Sequence, residues 1–128
     1  MPDMDKPYVV LRSDSRIDVV LIQGEIDRHV GVPRLEKTLA RLRERAASKV
    51  IFDFRDVSYC CSTGIAILLD FYEKLKDAGG VLVFAAVAGA AREPMEILDI
   101  PDIVDFFDST ADALEELEHG SLSAASLN

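Results

Sequence analysis

Cys60 and Cys61 stand side by side and run straight into Ser62-Thr63-Gly64. Thiols and hydroxyls in one stretch raise three chemistries: metal or redox work by sulfur, nucleophilic attack by a serine, and covalent modification of a hydroxyl. Zinc sites space their Cys and His ligands in a characteristic way, and this pair with His29 and His119 does not match it. A redox motif places residues between its cysteines. A disulfide between neighbours closes a strained small ring, so both thiols are expected to be reduced. A Ser/His/Asp triad would have to draw on His29, in a loop, or His119, close to the end of the chain. Gly79-Gly80 lacks the Lys-Ser/Thr of a phosphate-binding loop and closes a helix instead. The sequence therefore predicts no catalytic residue, no metal and no cofactor.

Modification of a hydroxyl is left. Ser62 and Thr63 open an apolar helical run, where Ser and Thr are favoured N-caps. The same position suits a phosphate, because a helix start offers free N–H groups and a positive dipole end. A second stretch, Gly24-Glu25-Ile26-Asp27, also has two readings. It is a turn in which Asp27 caps the approach to a helix, or a strand end from which Glu25 and Asp27 face a partner.

These residues need elements to hold them. Tyr8 to Arg12 and Ile17 to Gln23 read as a hairpin around Asp14-Ser15-Arg16. Pro33 suits the first position of an amphipathic helix carrying Leu35, Leu39, Leu42 and Ala46. Val50 to Phe54 and Val81 to Val87 are apolar runs of the kind found in central strands. A helix from about Ser62 to Ala78 lies between them. A short helix near Ala91 to Leu98 has Pro94 in its first turn, and Ile103 to Phe107 reads as an edge strand. Ser109 caps a last helix, with Asp112 three residues on. The order β-β-α-β-α-β-α-β-α predicts an α/β domain with a mixed, mostly parallel sheet of about five strands and about four helices. The domain is expected over 7–118, with a loose arm at 1–6 and a tail at 119–128.

The helix from Ser62 puts Ile65, Leu68, Leu69, Tyr72 and Leu75 on one face, which goes to the sheet. Ile67 and Phe71 fall off that face, beside Lys74. They are scattered surface hydrophobes, side chains covered by a neighbouring loop, or a docking surface for a protein. Strand alternation turns Cys60 inward and Cys61 outward. An outward Cys61 would sit beside Ser62 and could be redox-sensitive.

The net charge of −9 argues against nucleic acid and anionic membranes as partners. No apolar run approaches the roughly 20 residues of a membrane-spanning helix. The first residues lack the basic and apolar regions of a signal peptide. A cytoplasmic protein, monomeric or weakly dimeric, is the expectation.

The two stretches together resemble a known family. Gly24-Glu25-Ile26-Asp27 before a helix, then Val57-Ser58-Tyr59-Cys60-Cys61-Ser62-Thr63-Gly64-Ile65 opening the next, are similar to the bacterial anti-sigma-factor antagonists of the STAS class. That family shows Gly-Glu-Leu-Asp near the end of its second strand and Asp-Ser-Ser-Gly or Asp-Ser-Thr-Gly at the start of its second helix. The likeness runs from about Tyr8 to Glu118 and takes in Gly79-Gly80 and Ile100-Pro101. It implies a single STAS domain, a mixed sheet with its helices mainly on one face. It implies a partner, an anti-sigma factor that is also a serine kinase of the histidine-kinase-like ATPase group. The unphosphorylated antagonist captures this kinase and frees a sigma factor. The kinase phosphorylates the first hydroxyl after the motif Asp, here Ser62 and less readily Thr63, and a PP2C-type phosphatase resets it. The resemblance makes Glu25, Asp27, Cys61, Thr63, Gly64, Ile67, Phe71 and Lys74 the partner-facing residues. One departure stands out: the family's aspartate before the serine is Cys61 here. An unphosphorylated scaffold or a transport-complex subunit of the same class is the alternative that this departure implies.

Overall fold

The computed structural model describes residues 6–119 of the 128-residue chain. The expected arm and tail lie outside these residues, apart from Lys6 and His119. His119 closes the last helix, its N–H donating to the Glu115 carbonyl at 3.0 Å.

Strands β1 (Val9–Arg12) and β2 (Asp18–Ile26) form the antiparallel hairpin. Helix α1 (Gly31–Glu44), strand β3 (Lys49–Cys60) and helix α2 (Ser62–Asp77) follow. Strand β4 (Val81–Ala85), helix α3 (Gly89–Ile97), a 3₁₀ turn (Ile100–Asp102), strand β5 (Asp105–Phe107) and helix α4 (Thr110–Glu118) complete the chain. The sheet order is β1-β2-β3-β4-β5, and every pair after the first is parallel. This is the α/β architecture, element order and mixed sheet that the sequence predicts.

The central strands are apolar on both faces because both are covered. One face of the sheet, with Val20, Val50, Phe52 and Phe84, takes α1, α2 and α3. The other, with Ile17, Val19, Ile51 and Val83, takes α4 through Ala113 and Leu117. Thr110 pins the start of α4, its hydroxyl donating to Asp53 Oδ2 at 2.8 Å. The Ser109 cap is as expected, its Oγ accepting the Asp112 N–H at 3.0 Å.

Several boundaries differ from expectation: β2 runs on to Ile26, β4 stops at Ala85 and β5 begins at Asp105. Pro33 is the third residue of α1 and Pro94 lies inside α3, because both helices begin earlier than their prolines suggest. Strand β3 runs on to Cys60. Past Asp53 it has lost β4 and pairs only with β2, so its outward residues Arg55, Asp56, Ser58 and Tyr59 are exposed and polar or amphipathic. That extension carries Cys60 to the rim of the sheet, where the candidate site lies.

Candidate functional site

The end of β2 supplies the first half of the site. The β2–β3 register shifts between Gly24 and Glu25, where β3 carries one extra residue, Ser58, so Gly24 to Ile26 is the end of strand β2 and not a turn. Glu25 then pairs with Tyr59 and Ile26 with Cys60. Glu25 is exposed and Asp27 half-buried. Asp27 Oδ1 accepts the backbone N–H of Gly31 at 2.8 Å and of Val30 at 3.0 Å. These two bonds, Gly31 first, hold the carboxyl below the usual carboxylate range. Asp27 thus secures the start of α1.

The end of β3 supplies the second half. The Cys61 N–H donates to the Ile26 carbonyl at 3.0 Å, so the two strand ends stay joined to the last residue before α2. Cys61 itself is the N-cap: it is extended, and its Sγ accepts the Gly64 N–H at 3.4 Å. The expectation that a hydroxyl caps this helix is therefore corrected. Ser62 and Thr63 are the first two helical residues, and both are exposed. Both residues lie at the surface at the positive end of α2.

The expected outward Cys61 is corrected too, since it is only 7% exposed. Strand alternation ends at Cys60, and the turn into α2 folds the next side chain back against the first helical turn. Cys60 is inward as expected. Burial, and then the neighbouring Cys61, push its thiol up to about 12.

Two glycines explain how the halves meet. A Cβ on Gly64 would lie 2.8 Å from Ile26 Cγ2 and 3.1 Å from Cys60 Sγ. A Cβ on Gly31 would overlap the backbone of Ile26. Glycine at both positions lets the starts of α1 and α2 press against the last residue of β2.

Glu25, Asp27, Cys61, Ser62, Thr63 and Gly64 therefore gather at one end of the sheet. The remaining residues run away from it along α2. Ile67 is half-buried and shares a cavity of about 320 Å³ with Thr63, Glu36, Leu39, Arg43 and Asp70. Lys74 lies some twelve residues from Ser62, about 18 Å along the axis, and pairs with Asp70 at 3.1 Å on the exposed surface.

Phe71 is not the exposed residue it was expected to be. It is 3% exposed, with its ring edge-on to Phe52 at 6.3 Å. At about 100° per residue it sits only about 60° round the helix from Leu68. Helix α1 lies alongside on the same face of the sheet, which widens the buried arc of α2 to include it. Arg43 of α1 lies over the ring at 5.7 Å.

Arg43 is a residue that sequence reasoning missed. It lines the cavity beside Thr63 and a second one of about 340 Å³ formed with Leu42, Phe71, Lys74 and Leu75. Its signal was its spacing, four residues after Leu39 on the flank of α1. Ile97, Leu98 and Ile103 were also missed. They are 75%, 54% and 48% exposed, an apolar group around the end of α3.

A five-stranded mixed sheet whose β2 and β3 ends are joined, with exposed hydroxyls on the helix start that follows, defines a single α/β domain with its candidate site at the sheet rim. The STAS domain profile matches residues 8–113, most of the chain. The anti-sigma-B factor antagonist of Bacillus subtilis (strain 168) is 33% identical over 86 residues, 67% of this chain and 77% of that protein. The chain belongs to the STAS-domain family of anti-sigma factor antagonists. An anti-sigma factor antagonist from Mycobacterium paratuberculosis superposes with a TM-score of 0.75 at 27% identity, over 90% of this chain and 97% of that one. The Bacillus cell fate determinant SpoIIAA in its phosphorylated form shares the fold, with a TM-score of 0.68 at 15% identity over 86% and 98% of the two chains. Among the described residues no helix is long and apolar enough to cross a membrane.

Proposed function

We infer that this protein is a partner-switching antagonist controlled at Ser62. Unphosphorylated, it captures an anti-sigma factor that is also a serine kinase of the histidine-kinase-like ATPase group, and a sigma factor is released. The kinase transfers the γ-phosphoryl group of ATP to the Ser62 hydroxyl and capture ends. A PP2C-type phosphatase hydrolyses the phosphoserine and restores it. Such a role is carried out in the cytoplasm, by binding rather than by catalysis.

One observation carries this reading: the helix cap is Cys61, so Ser62 is exposed at the first helical position and its hydroxyl is not spent on capping. A phosphoryl group there adds roughly 1.5 to 2 negative charges. It would be tolerated by the helix start and would disrupt a partner surface closing over it. Glu25, Asp27, Thr63 and Gly64 surround that point, and Ile67 continues it along the α1–α2 seam. Phe71 contributes from beneath, by supporting α2, and not by contact.

The thiol cap also favours a second reading. A sulfur acceptor at 3.4 Å is weaker than the carboxylate of the family motif. A scaffold or transport-complex subunit of the STAS class would have no need of that carboxylate. Incubation with a co-purified histidine-kinase-like ATPase and ATP separates the two. The switch predicts a phosphoryl mass increase that maps to Ser62 and is lost in Ser62→Ala. An unchanged mass on wild type would leave the scaffold reading.

A further inference from the structure

At the opposite end of the sheet, where β2 and β3 begin, the charge pattern reverses. The chain carries −9 overall, yet four of its 14 basic residues surround one cavity of about 250 Å³. Arg12, Arg16, Arg45 and Lys49 line it, with Ser15 and Ser48.

Asp18 organises the cluster. It is fully buried and takes Arg12 in a two-point contact, Nε to Oδ1 at 3.1 Å and Nη2 to Oδ2 at 2.9 Å. Arg45 Nη2 reaches Asp18 Oδ1 at 3.4 Å. The buried carboxylate thus holds two guanidiniums in place, and each keeps further N–H donors. Four cations against the one carboxylate leave an excess of three positive charges. Asp14, in the same turn, is exposed and stands outside the lining.

Arg16 adds an independent observation. It has φ +63°, a left-handed conformation that glycine adopts more cheaply. The turn is closed by the Ser13 N–H to the Ile17 carbonyl and the Arg16 N–H to the Ser13 carbonyl, both at 2.9 Å. A residue held in that conformation with a long charged side chain, where glycine would relax the turn, points to use of the side chain.

We propose that this cavity binds a tetrahedral oxyanion, a phosphate or sulfate group, through Arg12, Arg16, Arg45 and Lys49. Planar guanidiniums and an ammonium supply the donors such a group needs. The volume is below the roughly 300–1,000 Å³ of sites for drug-sized ligands and suits a small ion with its waters. The site lies at the start of the parallel strands and Ser62 beyond their other end, so it does not rest on the switch.

Calorimetric titration of the full chain with inorganic phosphate, at fixed ionic strength with chloride as control, tests it. One saturable site is expected, weakened about tenfold or more in Arg16→Ala/Lys49→Ala, which leaves the Asp18 ion pairs intact. Arg16→Gly separates binding from folding. It relaxes the turn and keeps or raises the melting temperature, yet weakens phosphate binding. A second arm uses vesicles of phosphatidylglycerol against phosphatidylcholine. Binding to the first alone, lost in the same variants, identifies a lipid headgroup as the source of the same chemistry. No saturable binding in either arm, or equal binding by wild type and variants, overturns the proposal.

Discussion

Replacing Phe71 with alanine should cost the protein its stability before it costs any partner. The ring is 3% exposed, packs edge-on against Phe52 and lies under Arg43. Burial of a whole phenyl group, with the cavity left behind, makes Phe→Ala changes cost about 3–5 kcal/mol. The edge-to-face pair puts Phe71 within that range and not below it. The α1–α2 cavity already beside the ring gives water a way in, which limits relief by collapse. Against a typical total of 5–15 kcal/mol, about 4 kcal/mol is a large share. At roughly 3–5 °C per kcal/mol for a domain of this length, melting should fall by about 12–20 °C. Urea unfolding followed by circular dichroism reads the free-energy loss, and a thermal scan reads the melting shift. Phe71→Leu should recover more than half of the loss. A Phe71→Ala protein that keeps wild-type stability but fails to capture the kinase would refute the core assignment and restore Phe71 to the docking surface.

Three other outcomes follow from the site. Cys61→Asp should speed phosphorylation of Ser62 and raise stability by about 1 kcal/mol, through a stronger cap and the helix dipole, whereas Cys61→Ala should lower both; urea midpoints and timed mass spectra check the order. Asp27→Asn should destabilise at neutral pH and match wild type in acid. The native carboxyl of Asp27 sits below its ordinary value, so the unfolded chain holds more protons, and its contribution is lost as pH falls through the native pKa below about 4; melting curves of both proteins against pH show whether they converge. Cys60 has the opposite sign. Its native thiol is pushed up to about 12, so stability should fall as pH rises from about 9, where the unfolded thiol ionises first. Thiol labelling of the folded protein should be slow at neutral pH and rise only on unfolding.

The element order could be read from the sequence because each strand announces itself locally. Val81 to Val87 is an unbroken apolar run, and Asp14-Ser15-Arg16 marks the hairpin. The site was readable in part. Glycines at 24 and 64 and the hydroxyls at 62 and 63 sit where the fold uses them, whereas the close approach of Gly31 to Ile26 left no local mark. What stayed hidden depends on neighbours distant in the chain. Phe71 is buried because α1 lies beside α2, which a single helix's periodicity does not contain. Cys61 is inward because the strand ends one residue before it, a boundary finer than alternation resolves. The cation cluster around Asp18 joins residues from β1, the first turn, the C-terminal cap of α1 and β3, and nothing in their spacing along the chain brings them together.

Capture of the cognate anti-sigma factor by wild type, Ser62→Ala and Ser62→Asp, measured side by side by titration, tests the central claim most directly. A carboxylate at the head of α2 imitates part of the phosphoryl charge. Wild type and Ser62→Ala should bind alike, and Ser62→Asp should bind at least about tenfold more weakly, a difference of roughly 1.4 kcal/mol. Equal binding by all three would contradict it.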